Sequence, residues 1–146
     1  MAKAFSIEDG NLGNVPLTSS VAQIYRDIDL TFARRASGDV FKKTDAAAVR
    51  QAIKNLLLTN RGEKPFQPFY GGNLNQFLFG LSEEFDELEI KEEVANAIVN
   101  YEPRARVREV NVSLLPDFNS INVTVVFQIT TTLQIETVEV TLTRLR

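Results

Sequence analysis

The densest set of groups able to do chemistry is a run of carboxylates, Glu83, Glu84, Asp86, Glu87, Glu89, Glu92 and Glu93. Paired carboxylates roughly 5 to 10 Å apart can cleave a glycosidic bond when one holds its proton and the other does not. That division of labour needs two environments, an apolar pocket for the acid and a polar one for its partner. Nothing in the sequence around residues 83–93 supplies them. A solvated helix start, where the helix dipole favours carboxylates, accounts for the same pattern. A muramidase acting through residues 83–93 is therefore the alternative reading, and no catalytic residue is assigned.

Other chemistries are narrowed by what is missing. The 146 residues contain no histidine and no cysteine. This removes the commonest general base, the commonest metal ligand, and every thiol nucleophile or disulfide. No Asp-x-Asp-x-Asp-Gly calcium loop and no Gly-rich phosphate loop occurs, so no cofactor and no metal are expected.

Basic residues cluster in two places. Arg104, Arg106 and Arg108 alternate, which in a strand puts them on one face, and Arg34, Arg35, Lys42 and Lys43 form a second group. Glu102 and Glu109 dilute the first field, and pairing with the acidic helix, within the chain or between subunits, is its simplest use. The net charge of −3 gives no footprint for nucleic acid or an anionic membrane. Residues 1–10 have no signal-peptide pattern, and no run approaches the ~18 apolar residues of a membrane span. The expectation is a soluble chain that binds neither nucleic acid nor membrane.

The elements that position these groups follow from periodicity. Apolar residues make up 44% and charged residues 24%, ordinary for a globular chain of one domain. Residues 1–20, rich in Gly, Asn, Ser and Thr, read as an extended or flexible arm, and 21–146 as a single domain. Ile28, Leu30 and Phe32 alternate as in a short strand, and residues 37–39 form a turn. Thr44 or Asp45 is placed to cap a helix whose stripe is Val49, Ile53, Leu56 and Leu57. Gly62 is placed to end it. Phe66, Phe69 and Tyr70 lie among prolines and glycines and should pack on the core. A short helix over 73–81 and an acidic helix over 87–101 follow, with Pro103 as the stop.

The last third changes period. Val110, Val112 and Leu114, then Ile121 to Ile129, then Leu133 to Leu142 give three successive strands. A parity jump between Ile135 and Val138 predicts a bulge or a bend. The fold class is α+β, with N-terminal helices packed on a C-terminal antiparallel three-stranded meander. The third strand, ending the chain and rich in Val and Thr, fits a sheet edge open to another chain. Its Glu136, Glu139, Arg144 and Arg146 then guard that edge or form a solvated face.

Several modest motifs stand in fixed order: DIDLTF at 27–32, Gly38-Asp39, NLLLTNRGE at 55–63, Pro65-Phe66, Gly71-Gly72, Leu78-Phe79 and Glu102-Pro103-Arg104. Over about residues 25–145 this series resembles the baseplate wedge family of contractile phage tails, the sheath-initiator proteins sometimes labelled lysozyme-like. The resemblance implies a structural protein of the virion tail baseplate, not an enzyme, in six copies around a ring. It implies that Glu102, Pro103 and Arg104 contact the baseplate wedge core proteins. It also implies that the last strand, with Val138, Val140 and Leu142, takes added strands from the tail sheath protein. On that reading Arg104→Ala should impair attachment while the domain stays folded, and truncation after Thr132 should remove sheath binding alone.

Overall fold

The computed structural model describes residues 25–79, 87–115 and 120–144. The expected arm at 1–20, the end of the second helix at Leu81, and Glu83, Glu84 and Asp86 lie outside the described residues.

Two short strands, β1 (Arg26–Ile28) and β2 (Lys42–Thr44), pair antiparallel and lead into helix α1 (Asp45–Leu58). A loop connects it to the one-and-a-half-turn helix α2 (Leu74–Phe79), which is followed by the acidic helix α3 (Glu87–Tyr101). Strands β3 (Ala105–Leu115), β4 (Ser120–Ile129) and β5 (Ile135–Thr143) then form an antiparallel sheet in the order β3-β4-β5. The helices cover one face, α1 lying against β5 and α3 against β3. A single core joins Val49, Ile53 and Leu57 of α1 to Val94 and Ile98 of α3 and to Val123, Val125 and Phe127 of the central strand. The α+β class and the meander agree with the sequence pattern, as do the apolar stripes of α1 and α3.

Elsewhere local chemistry overrides periodicity. The alternating Ile28, Leu30 and Phe32 do not continue as a strand. The Asp29 carboxylate accepts the Thr31 N–H at 3.0 Å and the Asp29 carbonyl accepts the Phe32 N–H at 3.1 Å, so the chain turns. Leu30 and Phe32 are left exposed. Helix α1 starts at the expected place without the expected cap: Thr44 makes no side-chain capping bond, and Asp45 accepts the Tyr25 N–H at 3.3 Å instead. The helix also ends before Gly62. Thr59 turns out of it, its N–H on the Asn55 carbonyl, while Gly62 (φ 84°) donates across the loop to Pro68 at 2.8 Å. In that loop Tyr70 reaches the core, but Phe66 and Phe69 are exposed, contrary to expectation.

The bulge lies in β3, not in the third strand. The register of β3 against β4 slips between Val107 and Glu109, leaving Arg108 as the extra residue. This switch lets Ala105 and Val107 turn inward on one side of it and Val110 and Val112 on the other. Strand β5 pairs with β4 without interruption from Ile135 to Thr143. The parity jump has a simpler cause. Ile135 faces outward and is exposed, the inward position beside it is Glu136, and Leu133 sits in the β4–β5 turn at φ 57°.

Candidate protein-binding interface

Two places on this frame carry the candidate residues: the α3–β3 junction, and the outer strand of the sheet.

At the junction α3 ends on Tyr101, and the Glu102 N–H still closes a helical bond to the Ile98 carbonyl at 2.8 Å. Pro103, with no N–H to offer, stops the helix, and the Ala105 N–H returns to the Glu102 carbonyl at 3.1 Å to start β3. Glu102 is 6% exposed, and its two carboxylate oxygens accept Nε and Nη2 of Arg104 at 2.5 and 2.6 Å. This fork-to-fork geometry holds the arginine in one orientation. Those hydrogen bonds hold the Arg104 guanidinium above its usual range. The Arg104 carbonyl accepts both the N–H and the hydroxyl of Thr130, at 2.9 and 3.1 Å, tying the junction to the β4–β5 turn. The guanidinium carbon stands 5.3 Å from the Tyr25 ring centroid, within cation–π range. Tyr70 and Tyr101 meet edge to face at 5.2 Å, and burial, with the Glu102 charge behind it, pushes the Tyr70 phenol pKa up.

The buried acid therefore belongs to the chain's own construction. What the junction turns outward is the exposed Pro103 and the uncovered part of Arg104. Arg106 and Arg108 do not repeat the pattern. Arg106 is exposed, and Arg108, on the bulge, donates to the Gln128 side chain. Among the described residues these arginines make no pair within the chain to the acidic helix: its Glu93 takes Arg61 from the loop after α1, and its Glu87 takes Lys91.

Strand β5 borders β4 on one side, and among the described residues no strand pairs with it on the other. Val138, Val140 and Leu142 point their side chains into the core. Their main-chain groups also point inward along the sheet. The Ile129 N–H donates to the Gln134 carbonyl at 2.9 Å, which fixes the phase of the ladder. Because neighbouring residues of a strand alternate sides, residues 136, 138, 140 and 142 bond to β4. The N–H and C=O groups of Thr137, Glu139 and Thr141 therefore face the open side. Sequence reasoning found this strand but not these residues, because phase depends on a turn bond that no side-chain pattern encodes.

Beside that edge lies a shallow groove walled by α1 and β2. Lys43, Ala47, Arg50, Gln51 and Lys54 line it opposite Val138 and Glu139. The helical spacing of these residues is visible in the sequence, but their place beside β5 is not.

Among the described residues no cluster of acidic side chains is arranged to hold a metal ion, and no helix is long and apolar enough to cross a membrane. Of the carboxylates at 83–93, Glu87, Glu89 and Glu92 are exposed on α3.

Comparison with known proteins agrees with this architecture. The family described as baseplate wedge protein gp25 matches residues 43–138. The baseplate wedge protein gp25 of Enterobacteria phage T4 is 26% identical over 94 residues, covering 64% of this chain and 71% of the phage protein. Among solved structures, a chain of the anti-feeding prophage baseplate, determined with six-fold symmetrisation, superposes with a TM-score of 0.57 at 18% identity. It covers 82% of this chain and 86% of its own. A Geobacter sulfurreducens chain conjectured to be a tail lysozyme superposes with a TM-score of 0.58 at 19% identity, over 67% of this chain and 89% of its own. At those identities the two structures speak for the fold alone. The family match spans well over half of the sequence, and the chain belongs to the baseplate wedge protein gp25 family, structural components of phage tail baseplates.

Proposed function

We propose that the chain joins the baseplate wedge core to the first ring of tail sheath and templates sheath assembly by strand addition. The observation that carries this reading is the unpaired side of β5, with the main-chain groups of Thr137, Glu139 and Thr141 directed outward. An extended segment laid along that edge gains a ladder of main-chain bonds, and the alternation of its side chains sets register. The wedge-core contact falls to Pro103 and Arg104, with Glu102 as the positioning residue that fixes the arginine from behind. Six copies around the tail axis would match the six-fold symmetrised baseplate that holds the structural relative.

The function on this reading is non-enzymatic. The muramidase alternative draws on one relative's conjectured activity; Glu87, Glu89 and Glu92 lie exposed on α3, and Glu93, which borders a hollow with Phe69 and Tyr101, is ion-paired with Arg61 instead of sitting alone in an apolar pocket.

The test is co-purification with the sheath and wedge proteins of the same tail, for wild type, Thr141→Pro and Arg104→Lys. Proline at 141 removes an outward N–H without touching a bond to β4. Lysine at 104 keeps a cation for Glu102 but loses the fork. Thr141→Pro should lose sheath and keep wedge, and Arg104→Lys should do the reverse. A wild-type chain that binds neither partner would overturn the proposal, and hydrolysis of purified peptidoglycan by that chain would favour the alternative.

A further inference from the structure

The groove beside β5 says what kind of strand the edge accepts. Three of its lining side chains, Lys43 of β2 and Arg50 and Lys54 of α1, are cationic. On its helix side the only carboxylate of β5 is Glu136, 3.7 Å from Arg50. Lys43 is shared with Asp29 at 3.3 Å. Lys54 is exposed and has no ion-pair partner among the described residues. Glu139 also borders the groove, but its carboxylate is turned to the opposite face of the sheet, where it accepts the Asn122 amide at 2.7 Å. With Lys43 and Arg50 each facing one carboxylate, the helix side of the open edge carries one cation, Lys54, that no carboxylate among the described residues balances.

Spacing makes this charge readable by a strand. Four residues of α1, Arg50 to Lys54, advance about 6 Å along the helix. Two residues of a strand advance about 6.6 Å, and those two share a face. Arg50 and Lys54 thus stand about one same-face repeat of a strand apart, close enough for neighbouring side chains of an added strand to meet both. Ala47 and Gln51, short or neutral, leave room between the cations for those side chains.

We infer that the segment accepted by the β5 edge is an acidic strand of the sheath protein, with carboxylates on the face turned toward Lys43, Arg50 and Lys54. This rests on the strand-addition reading above and adds to it the chemistry of the partner. Alternating carboxylates on the incoming strand complete the cationic row, and a basic or wholly apolar segment of equal strand propensity is discriminated against.

The experiment measures binding of the full chain to the purified sheath protein of the same tail, at low and high sodium chloride. Wild type is compared with Lys54→Glu, Lys54→Arg and Thr141→Pro, and circular dichroism confirms that each variant is folded. Lys54 is exposed, so reversing its charge leaves the core intact. The inference expects Lys54→Glu to weaken binding about tenfold at low salt, with the gap closing at high salt as the charges are screened. Lys54→Arg should bind as wild type does. If Thr141→Pro abolishes binding while Lys54→Glu and salt change nothing, strand addition stands and the acidic-strand inference falls. If folded Thr141→Pro binds as tightly as wild type, the edge reading falls and takes this inference with it. Should Thr141→Pro fail to fold, Glu139→Pro asks the same question at the next outward position. Self-association of the chain that these prolines abolish would assign the edge to a second copy and overturn the inference as well.

Discussion

At the scale of single residues, Glu102 and Arg104 decide more than the tripeptide pattern discloses. A buried carboxylate is tolerated here because a guanidinium meets both its oxygens. Arg104→Ala strands that charge, so it should not leave the fold untouched, as the sequence alone led us to expect. With Arg104 partly solvent-exposed, the loss should be on the order of 1–3 kcal/mol. Arg104→Lys should lose less, and chemical denaturation of both variants beside wild type measures the difference. An alanine variant as stable as wild type would mean that water satisfies Glu102. Tyr70 gives a second test from the same cluster. Its phenol is held protonated by burial first and by the Glu102 charge second. In the unfolded chain it ionises near pH 10, as a free tyrosine does, while the folded chain keeps the proton to higher pH. Stability present below about pH 10 is therefore lost as pH rises through that window. Tyr70→Phe should show a smaller loss of stability between pH 9 and 11 than wild type, and Glu102→Gln should move the tyrosine absorbance titration of the folded protein downward.

At the scale of elements, the long periodic segments were legible in the sequence and their junctions were not. The stripes Val49-Ile53-Leu56-Leu57 and Ile90-Val94-Ile98 name the buried faces of α1 and α3 because burial alone sets them. The ends are set by single hydrogen bonds. Asp45 prefers the Tyr25 amide to its own helix, and Asp29 curls the backbone where Leu30 and Phe32 alternate as if in a strand. The aromatics at 66 and 69 miss the core for a related reason, since their loop is shaped by where it docks. Gly72 donates to the Leu56 carbonyl at 3.0 Å, and Gly71, at φ +127°, lies so close to Thr59 that a Cβ would collide with its carbonyl oxygen. Gly71→Ala should therefore destabilise the fold by at least about 2 kcal/mol, combining backbone strain with a main-chain clash. Gly62→Ala meets no neighbour within reach and carries the strain alone. Thermal midpoints of the two variants separate the terms, and equal shifts would remove the docking argument. The candidate interface divides the same way. Glu102, Pro103, Arg104 and the last strand could be picked out in one dimension, whereas the phase of β5 and the cationic flank beside it exist only after α1 packs.

At the scale of the whole molecule, one core spans all three helices and the C-terminal sheet, and this governs which experiments on β5 are interpretable. Val138, Val140 and Leu142 are buried with Ile53, Leu57 and Phe127 in one cluster. Cutting the chain after Thr132, which the sequence recommends as a way to remove the sheath-binding strand, would also strip the outer third of that sheet. Each large aliphatic side chain lost from a packed core costs about 2–5 kcal/mol, and domains of this size are stable by only about 5–15 kcal/mol. The truncated chain should therefore not fold, and its loss of sheath binding would say nothing about the edge. Because the core is continuous, the full chain should unfold in a single transition, with calorimetric and van't Hoff enthalpies equal. The truncated chain should show no cooperative transition at all. A truncated chain that melts cooperatively would mean that β3, β4 and the helices hold together without β5. In that case the last strand would be a detachable element, and the deletion would become a fair test of strand addition after all.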